Sequence, residues 1–380
     1  MALLFDLAAL SARHTDEVLD QVFCKAHGHE DGDGIWAPQD NPFLARLVEL
    51  FTERGLTRMA GLSDELQAWL TGERHQAGDI RPRPPGDRRV WTQQELGVAR
   101  LYLRSLPPSA WTIDDHMLLV DFLHQRYMSA DDLRTEAEWL SQRSVLMGRV
   151  QANMAAVTPG QADKILAAPI PDVSWSGIQQ QVREFARLRC ADAVTRVSEG
   201  VRMQLRQTIA QEVEQASLAG RPVWSTALQT KLFDNFSVQN RDWRRVALTE
   251  SGEALNKGFI ASLPTDQMVK RVEQYKGVCP YCAKIDGRVM RVTTADDPDK
   301  DGETDVWPGK NNVGRSASPR KRVGDLLVPR DPDELYWVPA GLAHPNCRGR
   351  YVQVITDQPG DDVEFGDWLR ATLQPGVTPP

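Results

Sequence analysis

Cys279-Pro280-Tyr281-Cys282 and His344-Pro345-Asn346-Cys347-Arg348 are the two pieces of this sequence whose residue types and spacing can do chemistry. The first is a Cys-x-x-Cys knuckle. The second sets an imidazole shortly before a thiol, so the two together offer three sulfurs and one nitrogen, the donor set that tetrahedral structural zinc prefers. Cys279, Cys282, His344 and Cys347 are therefore the candidate metal ligands. Zn2+ is the expected cofactor, and pinning a small, poorly cored subdomain is its expected use. Two other readings of the same residues stay open: ordinary buried thiols beside a surface histidine, and a Cys279 to Cys282 disulfide. The odd total of five cysteines, with no signal-peptide pattern and no apolar run of bilayer length, sets the expectation of cytoplasmic synthesis under reducing conditions and no membrane partner. Cys24 and Cys190 stand apart in helical patterns.

A second cluster is acidic. Asp297-Pro298-Asp299-Lys300-Asp301-Gly302 repeats the opening half of a calcium loop, in which alternating carboxylates converge on one hard cation, but Pro308 stands where the bidentate glutamate belongs. Calcium binding and a solvated acidic loop between Asp297 and Asp305 both fit that pattern. Directly after it come Lys310, Arg315, Arg320, Lys321 and Arg322 among glycines and serines, the make-up of a mobile basic loop whose contact is DNA, an acidic protein patch, or nothing. Trp307-Pro308-Gly309-Lys310 lacks the spacing of a phosphate loop, and no Gly-x-Ser-x-Gly, His-Glu-x-x-His or dinucleotide fingerprint is present. Glu250 with His344 is the acid–base pair to weigh. A helical carboxylate beside arginines is ordinarily a structural ion pair, so no catalytic residue and no organic cofactor is expected.

The elements that must position these residues divide the chain by texture. Its 380 residues leave room for two or three domains, and a formal charge of −7 excludes a protein that coats nucleic acid by bulk electrostatics. Helical periodicity dominates up to about residue 260 and has readable start signals. Asn41-Pro42 opens one helix, Thr92 with Glu95 makes a capping box before the next, and Ser129 with Asp132 makes another. These helices are expected to stack as a bundle or solenoid-like array. The longest pattern runs from 174 to 219, interrupted only by Gly200, and reads as one long helix or two with a kink. It either reaches toward a partner or forms a hairpin within its domain. A further helix ends near Ile260. Short strands are expected at Met268 to Tyr275, Arg288 to Val292, Tyr336 to Val338 and Tyr351 to Ile355, with 294 to 334 polar and irregular. Asp286-Gly287 suits a hairpin turn. Proline runs such as Arg81-Pro82-Arg83-Pro84-Pro85 and Thr378-Pro379-Pro380 read as exposed connectors. The expected organisation is a helical N-terminal domain (1–170), a long-helix connector (171–265), a metal-stapled β-rich subdomain (266–357) and a C-terminal tail (358–380). The fold class is α+β, mainly α.

Taken in order, Ala247-Leu248-Thr249-Glu250, Asn256-Lys257-Gly258, Cys279-x-x-Cys282 with Asp286-Gly287, and His344-Pro345-Asn346-Cys347-Arg348 resemble the Mu F-like head morphogenesis family of tailed phages. The resemblance covers roughly residues 170 to 355. It departs from the family pattern at Leu248, where an arginine is usual, and at Gly349, where a second cysteine is frequent. The resemblance implies a phage minor head protein located in the virion at or near the portal, binding the portal protein and other capsid proteins in head assembly or DNA packaging and delivery. Lys310, Arg315, Arg320, Lys321 and Arg322 would be the contacts to packaged DNA. The alternative from another class is a zinc-supported nuclease of the His-Cys type, which needs a catalytic histidine and a divalent ion beyond the structural four ligands.

Overall fold

The computed structural model describes residues 41–84, 91–154, 157–274, 278–354 and 363–373. Cys24, residues 85–89 of the Pro/Arg run, Tyr275, Ile355 and Thr378-Pro379-Pro380 lie outside them. The fold is α+β and mainly helical, with its sheets confined to the C-terminal part. The helices are α1 (Pro42–Leu70), α2 (Gln93–Ser105), α3 (Ile113–Tyr127), α4 (Ala130–Asn153), α5 (Pro159–Ala167), α6 (Gly177–Ala219), α7 (Thr226–Ile260), α8 (Pro280–Ile285) and α9 (Val363–Leu373). The expected start signals operate. The Asn41 side chain accepts the Leu44 N–H at 3.2 Å, Thr92 and Glu95 cap each other reciprocally, and Ser129 Oγ accepts the Asp132 N–H at 3.1 Å. Gly200 does not divide α6, which runs unbroken because a glycine within a helix costs propensity but leaves its hydrogen-bond ladder intact.

By contact density the described chain forms two compact units, each drawn from separated stretches. The first, residues 51–136 and 191–244, is all helix. Phe51 stacks on Trp243 at 5.1 Å, and Gly55 leaves the room that this indole occupies. Its interior charges are paired: Asp121 with Arg202 and Arg206, and Glu136 with Arg54 and Arg58.

The second unit, residues 41–50, 137–190, 245–354 and 363–373 as far as they are described, carries the chemistry. Here α4 and α7 touch backbone to backbone. A Cβ on Gly148 would lie 2.2 Å from the Leu255 carbonyl, and one on Gly258 would lie 2.6 Å from the Val145 carbonyl. After α7 the chain forms β1 (Met268–Val272), β2 (Val289–Val292), β3 (Asp305–Val306) and β6 (Arg350–Gln353) as one sheet in the order β3-β2-β1-β6, β1 antiparallel to both neighbours and β3 parallel to β2. Phe259 and Ile260 of α7 pack with Val269, Met290, Val292, Val306, Val338, Leu342 and Tyr351 in a continuous buried cluster that includes Cys282 and Cys347.

Several expectations change. The subdomain is not poorly cored, because the end of α7 supplies apolar side chains that the strands alone lack. Tyr336 to Val338 is not a strand; its chain is held by side chains instead, with Asn312 Oδ1 accepting the Trp337 N–H at 3.1 Å. The supposedly irregular stretch contains β3 and a two-stranded hairpin, β4 (Arg320–Val323) and β5 (Leu326–Pro329). Asp286-Gly287 is the exit of α8, with the Asp286 N–H on the Cys282 carbonyl and Gly287 at φ +77°. The stretch expected as a tail contains α9, which packs on α5 and buries Phe365.

Candidate metal centre

Cys279 caps the first turn of α8, its sulfur accepting the Cys282 N–H at 3.4 Å, so the two knuckle thiols stand at the start and on the first turn of one short helix. The opposing half lies on the loop between Val338 and β6. Its backbone is bolted to one face of α7. Thr249 Oγ1 accepts the Asn346 N–H at 3.2 Å, Glu253 Oε2 accepts the Leu342 N–H at 2.5 Å, and Asn256 Nδ2 donates to the Gly349 carbonyl at 2.7 Å. Spacings of four and seven residues put those three side chains on one helical face. Gly341 has no side chain because a Cβ there would sit 2.0 Å from Glu253. Glu250, one position off this face, pairs with Arg189 at 3.4 Å.

The two halves meet at His344. Its Nε2 stands 3.2 Å from both Cys279 Sγ and Cys282 Sγ, and Cys282 Sγ lies 3.7 Å from Cys347 Sγ. His344 Nδ1 is 2.9 Å from the Pro345 carbonyl, which can only accept. Nδ1 therefore carries a proton, and Nε2 is the nitrogen that faces the sulfurs and that a metal would take. All four predicted ligands are thus brought together as a cluster that could hold a metal ion. They do not form one tight quartet. Two triads share Cys282, one with Cys279 and His344 and the other with Cys347 and Glu273.

Cys347 is drawn to the Glu273 side by a buried ion pair that the sequence reading missed. Arg271 and Glu273 follow each other on one face at the end of β1, both fully buried, with Nε on Oε1 at 2.7 Å. Arg271 also donates to the Gly341 carbonyl at 2.8 Å, lies with its guanidinium 4.9 Å from the Tyr351 ring centroid, and approaches Cys347 Sγ at 3.8 Å. Asp286 fixes the adjoining backbone by accepting the Glu273 N–H at 2.8 Å. Gly349 belongs to the same device, since a Cβ there would lie 2.0 Å from Glu273 Oε1. Alternation of Arg271 and Glu273 along a strand reads as a solvated face, so only their buried apolar neighbours Val269 and Tyr351 could have signalled otherwise.

Electrostatics divides the thiols. The hydrogen bond from the Cys282 thiol, with Arg271 and the Gly349 amide, holds the Cys347 thiol far below its ordinary pKa, while the bond to Cys347 and burial push Cys282 well above its own. Burial opposes ionisation of Cys279, but the Cys282 amide and His344 outweigh it and its pKa falls. Burial likewise opposes a charge on His344, and the Pro345 carbonyl and the thiols outweigh it.

The other candidates resolve differently. The carboxylates of the calcium-like loop do not converge: Asp297 accepts from Thr293 and from the Asp299 N–H, and Asp301 accepts the Glu303 N–H at 2.8 Å. Lys310 is not part of an exposed basic loop. It is 1% exposed, donates to the Gly302 and Asp305 carbonyls at 2.7 Å each, and stands 4.9 Å and 5.3 Å from the ring centroids of Trp337 and Trp307. Burial pulls its pKa down to about 8. Arg315 stacks 3.6 Å from the Trp337 centroid and Lys321 pairs with Glu334 at 2.7 Å, which leaves Arg320 and Arg322 as the outward members of the five. No helix among the described residues is long and apolar enough to cross a membrane. No family model, no curated protein and no solved structure matches the chain.

Proposed function

We propose that this chain is a phage minor head protein of the Mu F-like kind, working by protein binding at or near the portal in head assembly or DNA packaging and delivery. Its C-terminal subdomain is stapled by a structural zinc ion on Cys279, Cys282, His344 and Cys347. The observation that carries this reading is the way the residues of the resemblance converge. Thr249 and Asn256 hold the loop of His344 and Cys347 against α7, while α8 presents Cys279 and Cys282 to the same imidazole.

The donor set fits zinc. Sulfurs on a tetrahedral zinc stand about 3.8 Å apart and a sulfur–nitrogen edge is about 3.5 Å; the Cys282–Cys347 and His344–Cys279 separations here are 3.7 Å and 3.2 Å, and Cys347, which stands outside the Cys279–Cys282–His344 triad, would have to close on it to complete the four. Bound zinc would join two stretches of chain already placed by hydrogen bonds and apolar packing, and binding would displace the proton that Cys282 shares with Cys347. The nuclease alternative gains less support, because Glu250 is engaged by Arg189 and Nε2 of His344 faces two sulfurs.

Two measurements test the reading separately. Freshly reduced protein should contain about one zinc per chain and lose it in Cys282→Ser; metal-free protein, or a Cys279 to Cys282 disulfide in its place, overturns the metal assignment. Purified heads should contain the chain in fixed ratio to the portal protein. Its absence from them overturns the head-protein assignment whatever the metal content.

A further inference from the structure

The β4–β5 hairpin spends apolar side chains on solvent. Its turn, Gly324-Asp325, has Gly324 at φ +59° and pairs Val323 with Leu326, the tight geometry that suits the twist of a two-stranded ribbon. The base is anchored: Lys321 Nζ reaches both Glu334 oxygens at 2.7 and 2.8 Å, and the Arg330 N–H donates to the Pro319 carbonyl at 3.0 Å. The tip is uncovered, with Val323, Leu326 and Leu327 exposed by 56%, 71% and 63%. Arg320 and Arg322 have no ion-pair partner among the described residues. A ribbon wet on both faces is marginal by itself, and clustered exposed apolar side chains mark a contact surface.

Charge identifies what that contact is. Lys321 and Arg330 are held by Glu334, which leaves Arg320 and Arg322 against Asp325 as the outward charge of the hairpin, a net +1 in a chain whose total is −7. The loop between β2 and β3, residues 293–304, holds five carboxylates against Lys300, a net −4, with Asp296, Asp299, Asp301 and Glu303 exposed. Val289, on the strand leading into that loop, is 47% exposed. We propose that the chain self-associates head to tail, the β4–β5 hairpin of one copy docking on the acidic β2–β3 loop of the next. A phosphate backbone offers nothing to cover Val323, Leu326 and Leu327, whereas a second copy supplies both the opposite charge and an apolar contact. Docked head to tail rather than reciprocally about a two-fold axis, the contact is heterologous and generates rings or open chains. The inference is independent of the head-protein reading.

Sedimentation of the purified full chain at rising concentration tests it. At low salt the mass should climb above 42.6 kDa, and it should return to that of one chain at about 1 M salt, where screening reaches within ~3 Å. Arg320→Gln with Arg322→Gln should be monomeric, as should Asp299→Asn with Asp301→Asn, each with unchanged circular dichroism. An equal mixture of the two variants should recover a pair and stop there, since one functional contact remains. A wild type that stays monomeric at every concentration overturns the proposal, as does association that both variants retain. Loss of DNA binding in the arginine variant with association intact would assign the hairpin to nucleic acid and overturn it equally.

Discussion

At the scale of single residues, the arrangement around the candidate centre is governed by the buried Arg271–Glu273 pair. Its members lie two residues apart and are completely desolvated, so each neutralises what would otherwise be a costly charge. Arg271→Met should therefore cost about 3–5 kcal/mol, because Glu273 is left buried and uncompensated. The double variant with Glu273→Met should cost clearly less than that, and urea unfolding of both proteins measures the coupling. Additive losses would show that the two do not act as a pair. The Cys/His cluster was legible in the sequence because thiols and imidazoles are scarce and their spacing is chemical. The ion pair was not, because arginine and glutamate are abundant and nothing in their types tells an interior pair from a solvated one. Lys310 misled for the same reason: its ammonium is enclosed by two indoles and two carbonyls contributed by residues on either side of it.

At the scale of elements, start signals transferred well and packing did not. A capping box is local, so Thr92 with Glu95 could be read without knowing the fold. The β4–β5 hairpin also left a signal, Gly324-Asp325 between apolar residues, which the surrounding charge obscured. Glycines within helices show what sequence cannot convey. In α6, nothing lies within 4 Å of a Cβ built on Gly200. In α4, the same addition at Gly148 meets the backbone of α7 at 2.2 Å. Gly200→Ala should accordingly stabilise the protein by about 0.5–1 kcal/mol through helix propensity and the unfolded chain. Gly148→Ala should destabilise it by about 1–3 kcal/mol through overpacking. Thermal melts of the two variants should move in opposite directions; shifts of the same sign would contradict the close approach of α4 and α7.

At the scale of the whole molecule, the all-helical unit should respond to acid before carboxylates titrate. His124 is buried with Nε2 at 2.7 Å from Ser198 Oγ, and His116 is buried with Nδ1 at 2.8 Å from the Thr112 carbonyl. Burial holds both pKa values below the ordinary histidine value of about 6.5. Above about pH 6.5 neither the folded nor the unfolded chain takes these protons. Below it the unfolded chain binds protons that the folded one refuses, so stability falls as pH drops toward the folded values. Urea midpoints between about pH 7.5 and about pH 5 should show that decline, and His116→Gln with His124→Gln should flatten it. An unchanged slope would mean that the two side chains protonate in place.

The sequence suggested a linear order of domains, whereas each compact unit draws on stretches far apart in the chain, with cuts inside α1, α4, α6 and α7. Texture changes along a sequence report which elements form, not which of them pack together. That interleaving has a consequence on the ribosome. The helical unit cannot close until residues 191–244 have emerged, and the unit with the thiols must wait for residues 245 onward. The early helices therefore leave the exit tunnel with their apolar stripes uncovered, in need of a chaperone or of fast synthesis for more than half the length of the chain.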